Sequence, residues 1–394
     1  MVKARTASGL IEYTPAQQLE FNRLADIIRE VYESYGFTPL DTTVLELSDV
    51  LLAKEAGETG KEVYRFEKGR NDFTLRFDLT VPLARYVAQN EGQLVFPFRR
   101  WAGGRVYRAE RAQAGRFREF YQYDIDTIGS DSPVVDAEFP AVINEIFERF
   151  GFGEFIIRLN NRKVLSGFFE GIGLQGSAAD ILRIIDKMEK ISEEEFTAEL
   201  QGAGLKDKQI EQIVEFTAIS GDNDEVLGKL EGWGISNDVF AQGVARLKAV
   251  VEALRAMGVP EHRFKVDLKI ARGLDYYTDT VYETVLCDYP QVGSVCSGGR
   301  YDNLAGLYTT TKLPGVGISI GLTRLFYALS QLGVIAPKAQ SPAMVAVVPL
   351  DEAQRRPALD AASAIRKAGI NTIFHDEPGK LDKKMRYSDR MGIK

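Results

Sequence analysis

Cysteine is nearly absent from this chain. There are two in 394 residues, Cys287 and Cys296, with no CxxC pair and no Cys/His cluster. That argues against a structural zinc site and fits a reducing compartment. Long apolar runs are also missing. No stretch approaches the roughly 20 residues a membrane helix needs, and the opening MVKARTASGLIEYTP lacks an apolar run of signal-peptide length, so a cytoplasmic protein with no membrane partner is expected. Positive charge is not in excess: 49 Lys and Arg stand against 56 Asp and Glu, a net −7, which argues against a chain built mainly to coat nucleic acid. The remaining composition, 45% apolar and 27% charged, is that of a globular protein long enough for two or three domains.

Against this background one stretch stands out, RRWAGGRVYRAERAQAGRFREFYQYDID, residues 99–126. Between Arg99 and Arg118 it holds seven arginines, no lysine and one acid, Glu110. Arginine makes forked, bidentate contacts to phosphate, where lysine acts as a point charge. Glycine and alanine near 112–115 predict a loop between two extended runs. From Phe117 onward the chain alternates, placing Phe117, Tyr121, Tyr123 and Ile125 on one face and Arg118, Gln122, Asp124 and Asp126 on the other. The prediction is a hairpin with a polar floor of arginine, amide and carboxylate, suited to a phosphate and a polar small molecule.

The rest of the chain is read around that hairpin. Thr14-Pro15-Ala16-Gln17 has the form of a capping box opening an amphipathic helix to about Gly36. GFTPLDTTVLE (36–46) reads as extended and broken by Pro39. Residues 63–87 predict a hairpin turning at Gly69 to Asp72, a strand through Leu75 and a helix opening near Asp78-Leu79-Thr80, where Asp78 is either an N-cap or a pocket carboxylate for an ammonium group. A helix (about 137–150) and a strand (154–159) follow. Residues from about 163 to 259 are helix-rich and acidic, as in ISEEEFTAEL, and interrupt a strand-rich pattern, so they read as an insertion. Strands return in 265–287. SGGRYDNLAG (297–306) reads as a glycine-paired turn, and LPGVGISIGLTRLFYALSQLG (313–333) as a strand running into a helix, with Arg324 near the helix dipole's positive end. The linker IAPKAQSPA (335–343) marks a boundary. Beyond it come MVAVVPL, a buried-type strand, and about 50 residues of βαβα pattern, which looks incomplete for a parallel sheet.

Taken together, GFTPLDTTVLE, GRVYRAERAQAGRFREFYQYDID and GVGISIGLTRLF resemble the three motifs of the class II aminoacyl-tRNA synthetases. ARGLDYYTDTVYE and SGGRYDNLAG are similar to the two blocks that mark the histidyl-tRNA synthetases. The resemblance implies an α+β fold: a catalytic domain (1–335) on a mixed, mainly antiparallel sheet with a helical insertion at about 163–260, and a partial α/β anticodon-binding domain (343–394) that looks truncated. It implies ATP-dependent formation of histidyl-adenylate, transfer of histidine to the 3′ end of tRNA(His), and a homodimer built through the first motif. By similarity, Arg108 and Arg272 would act on the α-phosphate. Asp78, Leu79, Thr80, Arg108, Gln122, Asp126, Arg272, Tyr276 and Tyr277 would bind L-histidine, the α-amino group on Asp78, Thr80 and Gln122 and the imidazole on Asp126 and the two tyrosines. ATP would be held by Arg108, Glu110, Arg116 and Arg324, Glu110 taking the adenine amino group. Mg²⁺ would be bound mainly by ATP, with no dedicated protein ligands. Asp279 and Thr323 depart from the usual pattern of the family, which often has glycine and glutamate there.

Two rival readings accompany this one. A regulatory subunit of ATP phosphoribosyltransferase resembles the same core without catalysing adenylation, and a silent fragment would bind histidine without activating it. The intact RAE…GRFREF and RGLDYY stretches favour the enzyme.

Overall fold

The computed structural model describes residues 2–53, 62–111, 115–271, 277–337, 339–377 and 379–393. In chain order its elements are α1 (Pro15–Ser34), β1 (Thr38–Pro39), β2 (Leu45–Leu47), α2 (Ser48–Leu51), β3 (Arg65–Lys68), β4 (Asn71–Leu75), α3 (Thr80–Asn90), β5 (Phe98–Tyr107) and β6 (Glu119–Ile128). Then come α4 (Pro133–Phe150), β7 (Phe155–Asn161) and six helices in succession: α5 (Arg162–Gly171), α6 (Ala178–Ile185), α7 (Glu193–Gly202), α8 (Asp207–Thr217), α9 (Asn223–Glu231) and α10 (Asp238–Ala256). The chain continues with β8 (Phe264–Val266), β9 (Thr280–Leu286), β10 (Ser294–Tyr301), β11 (Gly315–Ile320), α11 (Leu322–Gln331), β12 (Val345–Val347), α12 (Arg355–Lys367), β13 (Thr372–Phe374) and α13 (Leu381–Met391). Contacts divide the chain into two units, one of residues 1–10 and 27–328 and one of 11–26 and 329–394.

The larger unit is organised by an eight-stranded sheet in the order β1-β5-β6-β11-β10-β9-β7-β8. Only its outer pairs, β1/β5 and β7/β8, are parallel; the inner pairs are antiparallel, the expected mainly antiparallel α+β arrangement. A three-stranded sheet, β2-β4-β3, accompanies it, with β3 and β4 turning through Gly69 at φ +68°. The core is the underside of the large sheet packed by α4, whose Phe139, Val142, Ile143 and Ile146 have no exposed surface. Asp136, in the first turn of α4, is buried on Arg300 of β10 at 2.5 Å and on Arg246 of α10 at 2.8 Å. A charge sealed from water persists only when paired in this way, so the cluster ties the insertion's last helix to the sheet.

Helices α5 to α10 bear out the helical reading of 163–259. Ser192 with Glu195 and Asp222 with Glu225 form capping boxes, which turns the acidic runs into helix starts. The helices gather around Phe168 and Phe216, stacked at 3.9 Å. A methyl group at Gly167 would lie 2.4 Å from the Phe240 amide, and one at Gly243 2.6 Å from the Val164 amide, so α5 and α10 meet backbone to backbone.

Two expectations need correcting. SGGRY is not a turn but the end of β10, because a side chain at Gly298 would meet the Gly317 carbonyl at 2.2 Å and one at Gly299 the Thr280 carbonyl at 2.7 Å. The strands expected in 265–287 are β8 and β9, with Ala271 and Tyr277 outside both. Phe117 and Arg118 precede β6 rather than belonging to it.

In the smaller unit β12 and β13 pair in parallel, Val345 opposite Thr372 and Val347 opposite Phe374. The buried-type strand read from MVAVVPL is only half-buried, since two strands cannot cover one another's faces. His375 stacks on Tyr387 at 4.5 Å.

Candidate active site

Hairpin β5–β6 builds the site by pleat geometry. Alternate residues of β6 point to one face, so Gln122, Asp124 and Asp126 form a row, each buried with at most 9% exposure. The seven arginines do not form one patch. Arg99 lies on the opposite face, over Phe37 and onto Glu138 of α4, and Arg105 reaches Tyr121 and Glu119. Arg118 holds the Ser8 and Glu110 carbonyls. Arg100 goes inward instead. It is wholly buried and donates to Asp126 Oδ2 at 3.0 Å, to the Leu79 carbonyl at 2.9 Å and to the Leu40 carbonyl at 3.2 Å.

The row floors a cavity of about 170 Å³ whose walls include Asp78, Thr80, Arg108, Tyr277, Tyr301 and Ser319. Asp126 is fixed on both oxygens, because the Tyr301 hydroxyl donates to Oδ1 at 2.5 Å while Arg100 holds Oδ2. Gly317 makes room for it, as a methyl group there would stand 2.2 Å from Asp126 Oδ1. Asp78 stands just before α3 and lines the cavity. Oδ1 caps α3 by accepting from the Val81 amide at 3.1 Å, and Oδ2 has no hydrogen-bond partner among the described residues. The same holds for Gln122 Oε1 and Asp124 Oδ1. Orphaned buried acceptors are costly, and three of them around one cavity describe a ligand rich in N–H donors. Burial raises the Asp78 carboxyl to about 6 against the pull of the Val81 amide and Arg108. Burial and the neighbouring Asp126 raise Asp124 to about 8. An ammonium ligand would reverse both shifts.

A second cavity of about 290 Å³ adjoins the first. Arg108, Gln122, Ser297 and Ser319 line both, while Glu110, Arg116, Phe120 and Arg324 line only the second. Arg108 donates to the Phe77 carbonyl at 3.1 Å and lies over the Phe120 ring at 5.1 Å. Arg116 reaches Glu110 Oε2 at 3.3 Å. Arg324, in the first turn of α11, donates to the Val292 carbonyl at 3.0 Å. The second cavity is therefore rich in guanidinium groups and suited to a polyphosphate. Among the described residues no three acidic, histidine or cysteine side chains gather as a metal site, and the only acid lining this cavity is Glu110, already paired.

The structure thus brings Asp78, Thr80, Arg108, Gln122, Asp126 and Tyr277 around one cavity and Arg108, Glu110, Arg116 and Arg324 around its neighbour. Leu79 is the exception. Its side chain is fully buried with Ala102 and Val106, and its carbonyl is taken by Arg100, so it supports the site from behind. Arg272 and Tyr276 lie outside the described residues. Sequence reasoning missed Tyr301, Ser319 and Arg100. Tyr301 and Ser319 come from strands distant in sequence, and Arg100 looked like any other arginine of the cluster. Asp279 does not line either cavity; it is buried on Lys163, Asn161 and Arg246. Thr323 accepts from the Tyr121 amide at 2.8 Å, pinning β6 to the start of α11.

Comparison with known proteins follows the same lines. Residues 9–325 match the family described as histidyl-tRNA synthetase, and residues 344–394 match the anticodon binding domain. A histidine–tRNA ligase of Clostridium tetani is 51% identical over 396 residues, covering 100% of this chain and 90% of that relative. One from Xanthomonas campestris pv. campestris is 47% identical over 422 residues, covering 100% and 88%. Among solved structures, a histidyl-tRNA synthetase from Nostoc sp. superposes with a TM-score of 0.94 at 41% identity, covering 100% of this chain and 90% of that one. A protein from Bacillus halodurans described as an ATP phosphoribosyltransferase regulatory subunit/histidyl-tRNA synthetase gives a TM-score of 0.82 at 20% identity, covering 98% and 96%, and shares the fold alone.

Proposed function

The chain belongs to the histidyl-tRNA synthetase family, and from that premise we propose how its residues carry out the ligation of histidine to tRNA(His). Histidine occupies the smaller cavity with its α-ammonium on Asp78 Oδ2, Thr80 and Gln122 Oε1 and its ring toward Asp126, Tyr276 and Tyr277. ATP occupies the larger cavity, with its adenine amino group on Glu110 and its terminal phosphates on Arg116 and Arg324. The histidine carboxylate and the α-phosphate then meet at Arg108, which lines both cavities.

A carboxylate oxygen attacks the α-phosphorus, a new O–P bond forms, and the bond to the β-phosphate oxygen breaks to release pyrophosphate. Negative charge grows on the α-phosphate oxygens as this happens, and a fixed guanidinium at that point stabilises the transition state more than the ground state. Arg108 takes that role with Arg272. In the second step a hydroxyl at the 3′ end of tRNA(His) attacks the activated carbonyl and AMP leaves. Mg²⁺ would be held by the phosphate oxygens of ATP, adding charge neutralisation on the pyrophosphate side.

The observation that carries the reading is the pairing of an acceptor-lined cavity with an arginine-lined one across Arg108. A regulatory or silent protein has no need of that junction. Residues 1–335 form the catalytic domain with its insertion at about 163–260, and residues 343–394 are anticodon-binding sequence that would engage tRNA. The chain works as a cytoplasmic homodimer through the first motif, a reading supported by the apolar residues Val44, Leu45, Leu47 and Phe66, which are 37–45% exposed on and beside the small β2-β4-β3 sheet. No helix among the described residues is long and apolar enough to cross a membrane.

The experiment is transfer of labelled histidine to a tRNA(His) transcript by the whole chain and by Arg108→Ala. Charging that falls by at least 10³ in the variant is expected, on the scale of losing a group that acts only in the transition state. Equal charging by both proteins would refute the assignment.

A further inference from the structure

Asp124 is the middle member of the β6 row and takes no part in the ligation as proposed. It is 2% exposed and lines the smaller cavity, yet its Oδ1 has no hydrogen-bond partner among the described residues. Its surroundings fix it in place. Ser319 stands directly opposite across the β6–β11 ladder, receives the Gln122 amide at 2.5 Å and hydrogen-bonds the Asp124 carboxyl. The two ends of the row differ. Gln122 lines both cavities and so marks the reacting end, whereas Asp126 lines only the smaller one and has both oxygens engaged by Arg100 and Tyr301. Side chains two apart on a strand stand roughly 6.8 Å apart. A histidine laid along the row, amine toward Gln122 and ring toward Asp126, therefore passes its nearer ring nitrogen over Asp124.

We propose that Asp124 is a specificity-determining residue that accepts the Nδ1–H of the bound imidazole through Oδ1, leaving Asp126 and the tyrosines to the far nitrogen. The proposal rests on reading the smaller cavity as the histidine pocket. It explains why an acid is sealed there at all, since a carboxyl oxygen with no partner among the described residues destabilises an empty pocket and is satisfied by a donor on the ligand. It also gives the pocket a means of rejecting side chains of similar size that lack an N–H at the near position, which a purely apolar wall could not do strongly.

The test uses histidine-dependent exchange of labelled pyrophosphate into ATP by the whole chain, with wild type, Asp124→Asn and Asp124→Ser, each checked for folding by circular dichroism. L-Histidine, Nδ1-methyl-L-histidine and Nε2-methyl-L-histidine are offered in turn. Asp124→Ser should raise KM for histidine by about tenfold or more with KM for ATP held within about twofold, the size expected for one lost hydrogen bond to a charged group, and Asp124→Asn, whose amide oxygen still accepts, should raise it less. Asp124→Ser should also cut the preference for histidine over the Nδ1-methyl compound by about 30-fold, by removing acceptor and bulk together, and leave the preference over the Nε2-methyl compound unchanged. A folded Asp124→Ser variant with wild-type KM and wild-type discrimination would overturn the proposal. So would a histidine KM that rises with both preferences intact, which would place the α-ammonium on Asp124 instead. Variants silent in exchange are read by calorimetric titration with histidine, where wild-type affinity refutes the proposal and selective loss of histidine but not ATP supports it. No exchange by the wild type would count against the ligase reading rather than against Asp124.

Discussion

Asp78 is a carboxyl group sealed in a cavity with one oxygen unpartnered among the described residues, so Asp78→Asn should stabilise the folded chain while disabling it. Burial raises the group from its ordinary 3.8 to about 6, against the opposing pull of the Val81 amide and Arg108. The folded chain therefore holds this proton more tightly than the unfolded chain. That contribution is fully present below about pH 4 and is lost as the pH rises through about 6. At pH 7.5 the ionised group costs about 3 kcal/mol, and at pH 5 about half as much. Asparagine keeps the cap on the Val81 amide and carries no charge, so its unfolding free energy should exceed the wild type's by about 2–3 kcal/mol at pH 7.5, with the gap roughly halved at pH 5. Urea unfolding followed by tryptophan fluorescence measures this, because the chain's two tryptophans, Trp101 and Trp233, both lie in the larger unit. Saturating histidine should narrow the gap at pH 7.5 by stabilising only the wild type. A variant no more stable than wild type at pH 7.5, or a gap independent of pH, would refute the reasoning.

Other perturbations bear on neighbouring parts. Arg100→Met leaves Asp126 buried with Tyr301 as its remaining partner among the described residues, and a loss of about 3–5 kcal/mol in urea unfolding is expected from an uncompensated buried charge; the double variant Arg100→Met/Asp126→Leu should recover most of it. Glu110→Gln should raise KM for ATP by about tenfold in pyrophosphate exchange while KM for histidine stays within about twofold, since Glu110 lines only the larger cavity. Leu47→Asp with Phe66→Glu should shift sedimentation equilibrium toward the monomer if the small sheet is the dimer face, and an unchanged mass would refute that face. Histidine affinity should fall below about pH 6 as Asp78 takes up its proton. A triazole analogue whose ring stays neutral separates this fall from the titration of histidine itself, and a flat profile with the analogue would refute it.

Much of the fold could be read because local signals were strong. The capping box at Thr14 and Gln17 is present as a reciprocal pair, with the Thr14 amide on Gln17 Oε1 at 3.0 Å, and the acidic runs of the insertion became helix starts. The alternation in β6 located Gln122 and Asp126 because a strand's period of two separates its faces whatever the partner strands are. What stayed hidden depended on partners far along the chain. Gly298 and Gly299 read as a turn, since only the approach of β9 and β11 explains glycine inside a strand. Tyr301 and Ser319 reach Asp126 and Asp124 across sheet neighbours that no local window contains. The arginine cluster suggested a phosphate site but could not reveal that Arg99 and Arg105 face away from the arginine-lined cavity, because charge alone does not fix which side of a strand a cavity lies on.

The central claim is that the acceptor-lined cavity selects histidine and delivers its carboxylate to ATP at Arg108. Its most direct test is exchange of labelled pyrophosphate into ATP by the whole chain with each of the twenty amino acids offered separately and no tRNA present. The account expects exchange with histidine and none above background with the other nineteen. Exchange with a different amino acid, or no exchange with histidine by a folded chain that binds both histidine and ATP, would contradict it.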